Sequence, residues 1–176
     1  MSAREYLVEE SLRDGRVVTV QRVKPDEPDT REQDSYSLSR SALFHKFLMP
    51  DRELDERELI AFTDSNLFQQ TALFLCVESD GKPVPVGCGQ YVRNNRPDTS
   101  SSAELTIGVS ADYPRTELKA ILLRHLIKLA KSEGVTAFTT AYPANSIVLF
   151  DALREIDQSV ISVYAAGAFS LLLPIS

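Results

Sequence analysis

"SADYPRTELKAILLRHLIKLAKSEGV", Ser110 to Val135, is the stretch on which the fold turns. An apolar strand-like run, AELTIGVS (103–110), leads into it, and an amphipathic helix leads out. Leu118, Ile121, Leu122, His125, Leu126 and Leu129 recur at helical spacing, which predicts a helix over Thr116–Ser132. Gly134 supplies its stop signal. Strand, loop and helix in that order present backbone N–H groups at the positive end of a helix dipole, a setting that favours an anion such as phosphate. Loops of that kind use glycine where the backbone approaches its ligand. None occurs between Val109 and Lys131. The stretch is therefore either a phosphate loop with altered residues or only a strand-to-helix turn.

Outward from it, the chain alternates strand and helix signals. GRVVTVQRV (15–23) alternates apolar and polar residues, as a half-buried strand does. KPDEPDTREQDS reads as a surface loop. YSLSRSALFHKFL and DRELDERELIAFTD read as two helices, the first ended by Pro50 and the second capped by Asp51 or Asp55. TALFLCVES and VPVGCGQYVRN form a hairpin across Asp80-Gly81, and AELTIGVS is the fourth strand. VTAFTTAYP is the fifth. NSIVLFDALREI is a helix that Asn145 can cap, and VISVYAAGAFSLLLPI is a closing hairpin at Ala166-Gly167. The expected order is β, α, α, β, β, β, α, β, α, β, β, a single α+β domain over residues 1–176.

Composition narrows the function classes. The chain has 176 residues, 43% of them apolar, enough for one substantial core. The net charge of −6 argues against broad nucleic-acid binding. No apolar run reaches the ~20 residues of a membrane span, and the charged N-terminus lacks a signal-peptide core, so a cytoplasmic location is expected, without membrane contact. Cys76 and Cys88 lie in apolar runs and read as reduced core thiols. His45 and His125 have no partners at metal-ligand spacing, so both read as packing or surface residues and no metal is expected. Zinc spacing, a nucleophile elbow and a P-loop lysine motif are all absent from the sequence.

The element order and several strings together resemble the GNAT superfamily of acetyl-CoA-dependent N-acyltransferases, over nearly the whole chain. LRDGRVVTVQRVKPDE, LSRSALFHKFLMPDRELDERELIAFTD, VPVGCGQYVRN and AELTIGVS look like the corresponding segments of bacterial protein-lysine acetyltransferase-like domains. The resemblance implies a mixed sheet flanked by helices and splayed between the fourth and fifth strands, with acetyl-CoA as co-substrate. It implies that the pantetheine arm of the cofactor lies along Ile107, Gly108 and Val109, and that the pyrophosphate meets Arg115, Thr116, Glu117, Leu118, Lys119 and Ala120, with Asn145 a further contact. A glycine inside a strand also suits a bulge, so Gly108 has two readings.

The family signature in the loop is Gln or Arg, two variable residues, Gly, one variable residue, then Gly or Ala. Here Pro114, Glu117 and Lys119 occupy the three defined positions, so the signature is degenerate. Arg115 and Lys119 are positioned to replace lost backbone contacts with side-chain charge. Glu104 stands where the resembling branch keeps its proposed catalytic base, a role that suits a carboxylate because an attacking amine must shed a proton. The tyrosine that family members often carry on the last helix is missing from NSIVLFDALREI. Tyr142, just before it, reads as a core or rim aromatic. Two functions follow as expectations. One is transfer of an acetyl group to a protein lysine or small amine, by a chain for which a homodimer is one expected assembly. The other is a non-catalytic module of the same fold that has lost CoA binding.

Overall fold

The computed structural model describes residues 6–22, 70–93, 101–141, 147–156, 158–165 and 168–175. The two helices expected between residues 35 and 64, together with His45, Tyr142, Asn145 and the Ala166-Gly167 turn, lie outside them. The described strands are β1 (Leu7–Ser11), β2 (Val17–Arg22), β3 (Gln70–Ser79), β4 (Lys82–Arg93), β5 (Ser102–Val109), β6 (Ala137–Ala141), β7 (Ile161–Ala165) and β8 (Ala168–Pro174). Helix α1 (Arg115–Ser132) connects β5 to β6, and α2 (Ile147–Glu155) follows β6. They form one mixed sheet in the order β1-β2-β3-β4-β5-β6-β8-β7. Strands β1 to β5 are an antiparallel meander, and β5 and β6 run parallel, as strands joined by a helical crossover do.

The sequence reading missed β1. In LVEES the inward-facing residues are Val8 and Glu10, one apolar and one acidic, so the apolar alternation that marks a half-buried strand never appears. The strand is held by its ladder to β2, from Leu7 opposite Gln21 to Ser11 opposite Val17. It is also held by an internal polar contact. Glu10 Oε1 bonds His125 Nε2 of α1 at 2.8 Å, and the Tyr6 hydroxyl bonds His125 Nδ1 at 2.5 Å. His125, expected as a packing or surface residue, is buried, with both ring nitrogens engaged.

Helix α1 buries Leu118, Leu122, Leu123 and Leu126 against Val18, Val20, Leu73, Leu75 and Leu105 of the sheet. Gly89 of β4 lets it lie close: a Cβ there would stand 2.8 Å from Leu126 Cδ1 and 3.5 Å from Ile107 Cγ1, while one on Gly87 would stand 3.0 Å from Val109 Cγ1 of β5 and 3.5 Å from Leu122 Cδ1. These contacts show that Ile107 and Val109 face α1, so by strand alternation Glu104, Thr106 and Gly108 face the other side of the sheet.

The helix ends in a Schellman motif. Gly134 has φ +78°, the Val135 N–H donates to the Ala130 carbonyl at 2.9 Å, and the Gly134 N–H donates to that of Lys131 at 3.1 Å. Its C-cap, Glu133, is also a tertiary anchor. The carboxylate accepts from the Tyr91 hydroxyl at 2.8 Å and from Arg22 Nη2 at 3.2 Å, while Arg93 donates to the Glu133 backbone carbonyl. Burial raises the Tyr91 phenol well above its ordinary value.

Candidate functional site

The site begins where the sheet opens. β5 pairs with β6 only at Ser102–Ala137, Ala103–Phe138 and Glu104–Thr139. Beyond Glu104 the two strands part. β5 continues to Val109 on β4 alone, and β6 continues to Ala141 on β8. Leu105 to Val109 therefore present one edge whose alternate N–H and C=O groups have no ladder partner among the described residues. This is the splay between the fourth and fifth expected strands, with Ile107, Gly108 and Val109 along one lip.

Gly108 keeps regular register opposite Cys88, so it is no bulge on its β4 side. The register shift lies instead between β3 and β4, where Leu75 faces Gly87 but Cys76 faces Pro85, leaving Val86 as the extra residue. The carbonyl of Val86 accepts from the Ser110 N–H at 2.8 Å. The bulge thereby pins the first residue of the loop that carries the chain from β5 to α1.

At the end of that loop, Pro114 is the N-cap, with no side-chain capping bond. The Leu118 N–H is used internally, on the Pro114 carbonyl at 3.0 Å. The N–H groups of Arg115, Thr116 and Glu117 precede the first helical bond and are the donors such an end leaves free. The side chains of Leu118 and Ala120 are in the core. Arg115 and Lys119 stand one turn apart on one face of α1. Burial, and next the charge of Arg115, push the Lys119 amine below its ordinary value. Neither cation has a carboxylate partner among the described residues. Two cations sharing the positive end of a helix repel each other and oppose the dipole. An anion seated there would reverse both penalties.

Glu117, between them in sequence, turns elsewhere. Its Oε1 accepts the backbone N–H of Arg13, in the turn between β1 and β2, at 2.8 Å. Glu104 is exposed, faces away from α1 and sits at the last β5–β6 pair, the root of the splay. The structure thus brings the sequence candidates Glu104, Ile107–Val109 and Arg115–Lys119 along one opening and the helix end above it. Sequence reasoning did not find the Val86 bulge or the Arg13–Glu117 contact. The first leaves no composition signal, and the second joins residues 104 positions apart through a main-chain donor.

Among the described residues, no group of His, Cys, Asp and Glu is arranged to hold a metal ion. Nor is any described helix long and apolar enough to cross a membrane. Cys76 and Cys88 are buried and neither is in a disulfide, and burial raises the Cys76 thiol to about 11.

The architecture matches known acetyltransferases. The GNAT domain of S. lividans PAT superposes with a TM-score of 0.69 at 13% identity, over 96% of this chain and 97% of that one. A cAMP-binding acyltransferase from Mycobacterium smegmatis gives a TM-score of 0.60 at 15% identity, over 98% of this chain and 48% of that one, so this chain spans about half its length. In sequence, acetyltransferase PA5475 of Pseudomonas aeruginosa is 28% identical over 125 residues, which are 71% of this chain and 66% of that protein, just under two thirds of its length. The family profile described as acetyltransferase (GNAT) matches residues 33–150, more than half of the chain. With the splayed sheet and the open end of α1 in the places that fold requires, the chain belongs to the GNAT acetyltransferase family.

Proposed function

We propose that this chain is an N-acetyltransferase domain that takes its acetyl group from acetyl-CoA and delivers it to an amine, either a protein lysine or a small molecule, in the cytoplasm and without a metal. The observation that carries the reading is the coincidence of the β5–β6 opening with an uncapped helix end bearing Arg115 and Lys119. Members of the family use acetyl-CoA and act on amine acceptors. The residues present fit that cofactor. The open edge of Ile107–Val109 offers backbone pairing to an amide-containing arm. The free N–H groups of Arg115, Thr116 and Glu117, with the two cations, offer a seat for its phosphates.

The cofactor supplies an activated acyl thioester, and the chain supplies position and proton handling. Glu104, at the root of the opening, takes the proton that an ammonium must lose before it can attack, directly or through one water. The retained strand edge and helix end hold the donor in line, which lowers the entropic part of the barrier. The non-catalytic alternative rested on the glycines missing from the loop and the tyrosine missing from the last helix. At the first of those glycine positions, the carboxylate of Glu117 is bonded to the Arg13 N–H and so directed to the β1–β2 turn, which supports the catalytic reading.

Calorimetric titration with acetyl-CoA, followed by turnover assays with amine and peptide acceptors, tests the reading. Binding and turnover are expected. The Glu104→Gln variant is expected to bind acetyl-CoA normally and to turn over about 10²–10⁴-fold more slowly. Absence of binding at millimolar acetyl-CoA would end the enzyme reading, and normal turnover of the variant would remove Glu104 from the mechanism.

A further inference from the structure

Glycine-based phosphate loops owe their shape to a backbone that can curl around the ligand. In this chain the loop has no glycine, so something else must fix the helix end. Three contacts leave the β1–β2 turn, two of them to this helix end and one to the end of α2. The Arg13 N–H donates to Glu117 Oε1 at 2.8 Å. Arg13 Nη2 pairs with Glu155 Oε1 at 3.1 Å, at the end of α2. The Arg16 guanidinium lies 4.6 Å from the ring centre of Tyr113, in the segment that enters α1. The turn itself is internally braced. Leu12 N–H donates to the Arg16 carbonyl at 2.8 Å, Gly15 N–H to that of Leu12 at 2.9 Å, and the Arg16 backbone and side chain both donate to Asp14. Beside these contacts lies a cleft of about 230 Å³, with Glu10, Arg13, Glu117, Ile121, Arg124 and Glu155 in its walls. Leu12 of the turn packs into the core that α1 shares, and beside the cleft Arg13 and Arg16 reach the start of α1.

We propose that Glu117 is a positioning residue: it straps the β1–β2 turn to the first turn of α1 and so fixes the helix end, with Arg115 and Lys119, for an anionic cofactor. The inference rests on the reading of that end as the cofactor's phosphate seat. Its chemistry is specific. The donor is a main-chain N–H, so any side chain of the same length with an acceptor oxygen preserves the strap. Glutamine does, and alanine does not. The same two substitutions remove the negative charge equally. The difference between them isolates the strap from simple relief of repulsion between Glu117 and the cofactor's phosphates.

The test compares wild type, Glu117→Gln and Glu117→Ala in two measurements: calorimetric affinity for CoA, and amide hydrogen exchange at Arg13. Glu117→Gln is expected to keep slow exchange at Arg13 and to bind CoA at least as tightly as wild type. Glu117→Ala is expected to exchange faster at Arg13 and to bind CoA about three- to tenfold more weakly than Glu117→Gln, the range that one lost hydrogen bond corresponds to. In turnover the loss should fall on the KM for the donor and leave kcat unchanged. Equal CoA affinity in the two variants, with wild type still binding, overturns the strap alone. A wild-type chain that binds no CoA overturns the strap and the cofactor reading together. Alanine suits the interior of a helix, so Glu117→Ala should fold, and its melting curve checks this.

Discussion

Glu133→Ala should be among the most damaging single substitutions near the surface of this protein. The side chain is about 30% exposed, yet its carboxylate receives the hydroxyl of Tyr91, a fully buried residue. Truncation to alanine leaves that phenol without its closest acceptor, at a cost of about 1–3 kcal/mol. It also removes the ion pair to Arg22, whose side chain is 23% exposed, and at that exposure the pair adds no more than about 1 kcal/mol. Arg93 keeps its bond, because that bond is to the main chain. The expected loss is about 2–3 kcal/mol, or roughly 5–10 °C in Tm for a chain of this size. The protein has no tryptophan, so urea unfolding is best followed by far-UV circular dichroism. The midpoint should fall with the m value unchanged. Combination with Tyr91→Phe should be strongly non-additive, with a coupling of about 1 kcal/mol or more, since the two substitutions remove the same contact. A loss under about 0.5 kcal/mol, or additive behaviour, would refute the claim that this contact anchors the C-terminal end of α1.

Lys119→Met should raise thermal stability at neutral pH while weakening CoA binding about tenfold, because the substitution removes both a desolvated charge and a phosphate partner. The folded amine lies below its ordinary value of 10.5, so the unfolded chain binds that proton more tightly; the gain in stability should shrink as pH rises toward 10.5, and a stability loss at pH 7 in calorimetry would contradict this. Cys76 and Cys88 should both resist a thiol-specific reagent at pH 8 in the native state and both react once the chain is unfolded in guanidinium; rapid native labelling of either would contradict their burial.

Much of the fold was legible because its signals are local. The Asp80-Gly81 turn has φ values of +52° and +74°, and the dipeptide announces that geometry. The apolar stripe from Leu118 to Leu129 lies against the sheet as its spacing required, and the expected start of α1 differs from the observed one by a single residue. β1 escaped because its inward carboxylate is matched by His125, more than a hundred residues later. The site was legible in part for a similar reason. Glu104 and the strand edge occupy fixed positions in a chain order, which sequence conveys well. The destination of the Glu117 side chain depends on how a distant turn packs, which a helix-terminus argument does not contain. Read locally, its carboxylate either faces the ligand or complements the dipole. Its oxygen instead bonds a third group, supplied by tertiary structure.

The three-pair ladder between β5 and β6 has a mechanical consequence. It makes a short seam between a five-stranded plate and a three-stranded plate, which the crossover through α1, the packing of α2 on it and contacts such as Tyr91 with Phe138 and Arg13 with Glu155 also tie together. A cooperative sheet would normally resist shear along its whole length, but here the strand pairing across the seam is confined to residues 102–104 and 137–139, with one further backbone bond from Thr136 to Ser101. Any molecule lying in the opening and touching both plates would act as a rivet, and the work needed to pull them apart would then depend on the concentration of that molecule.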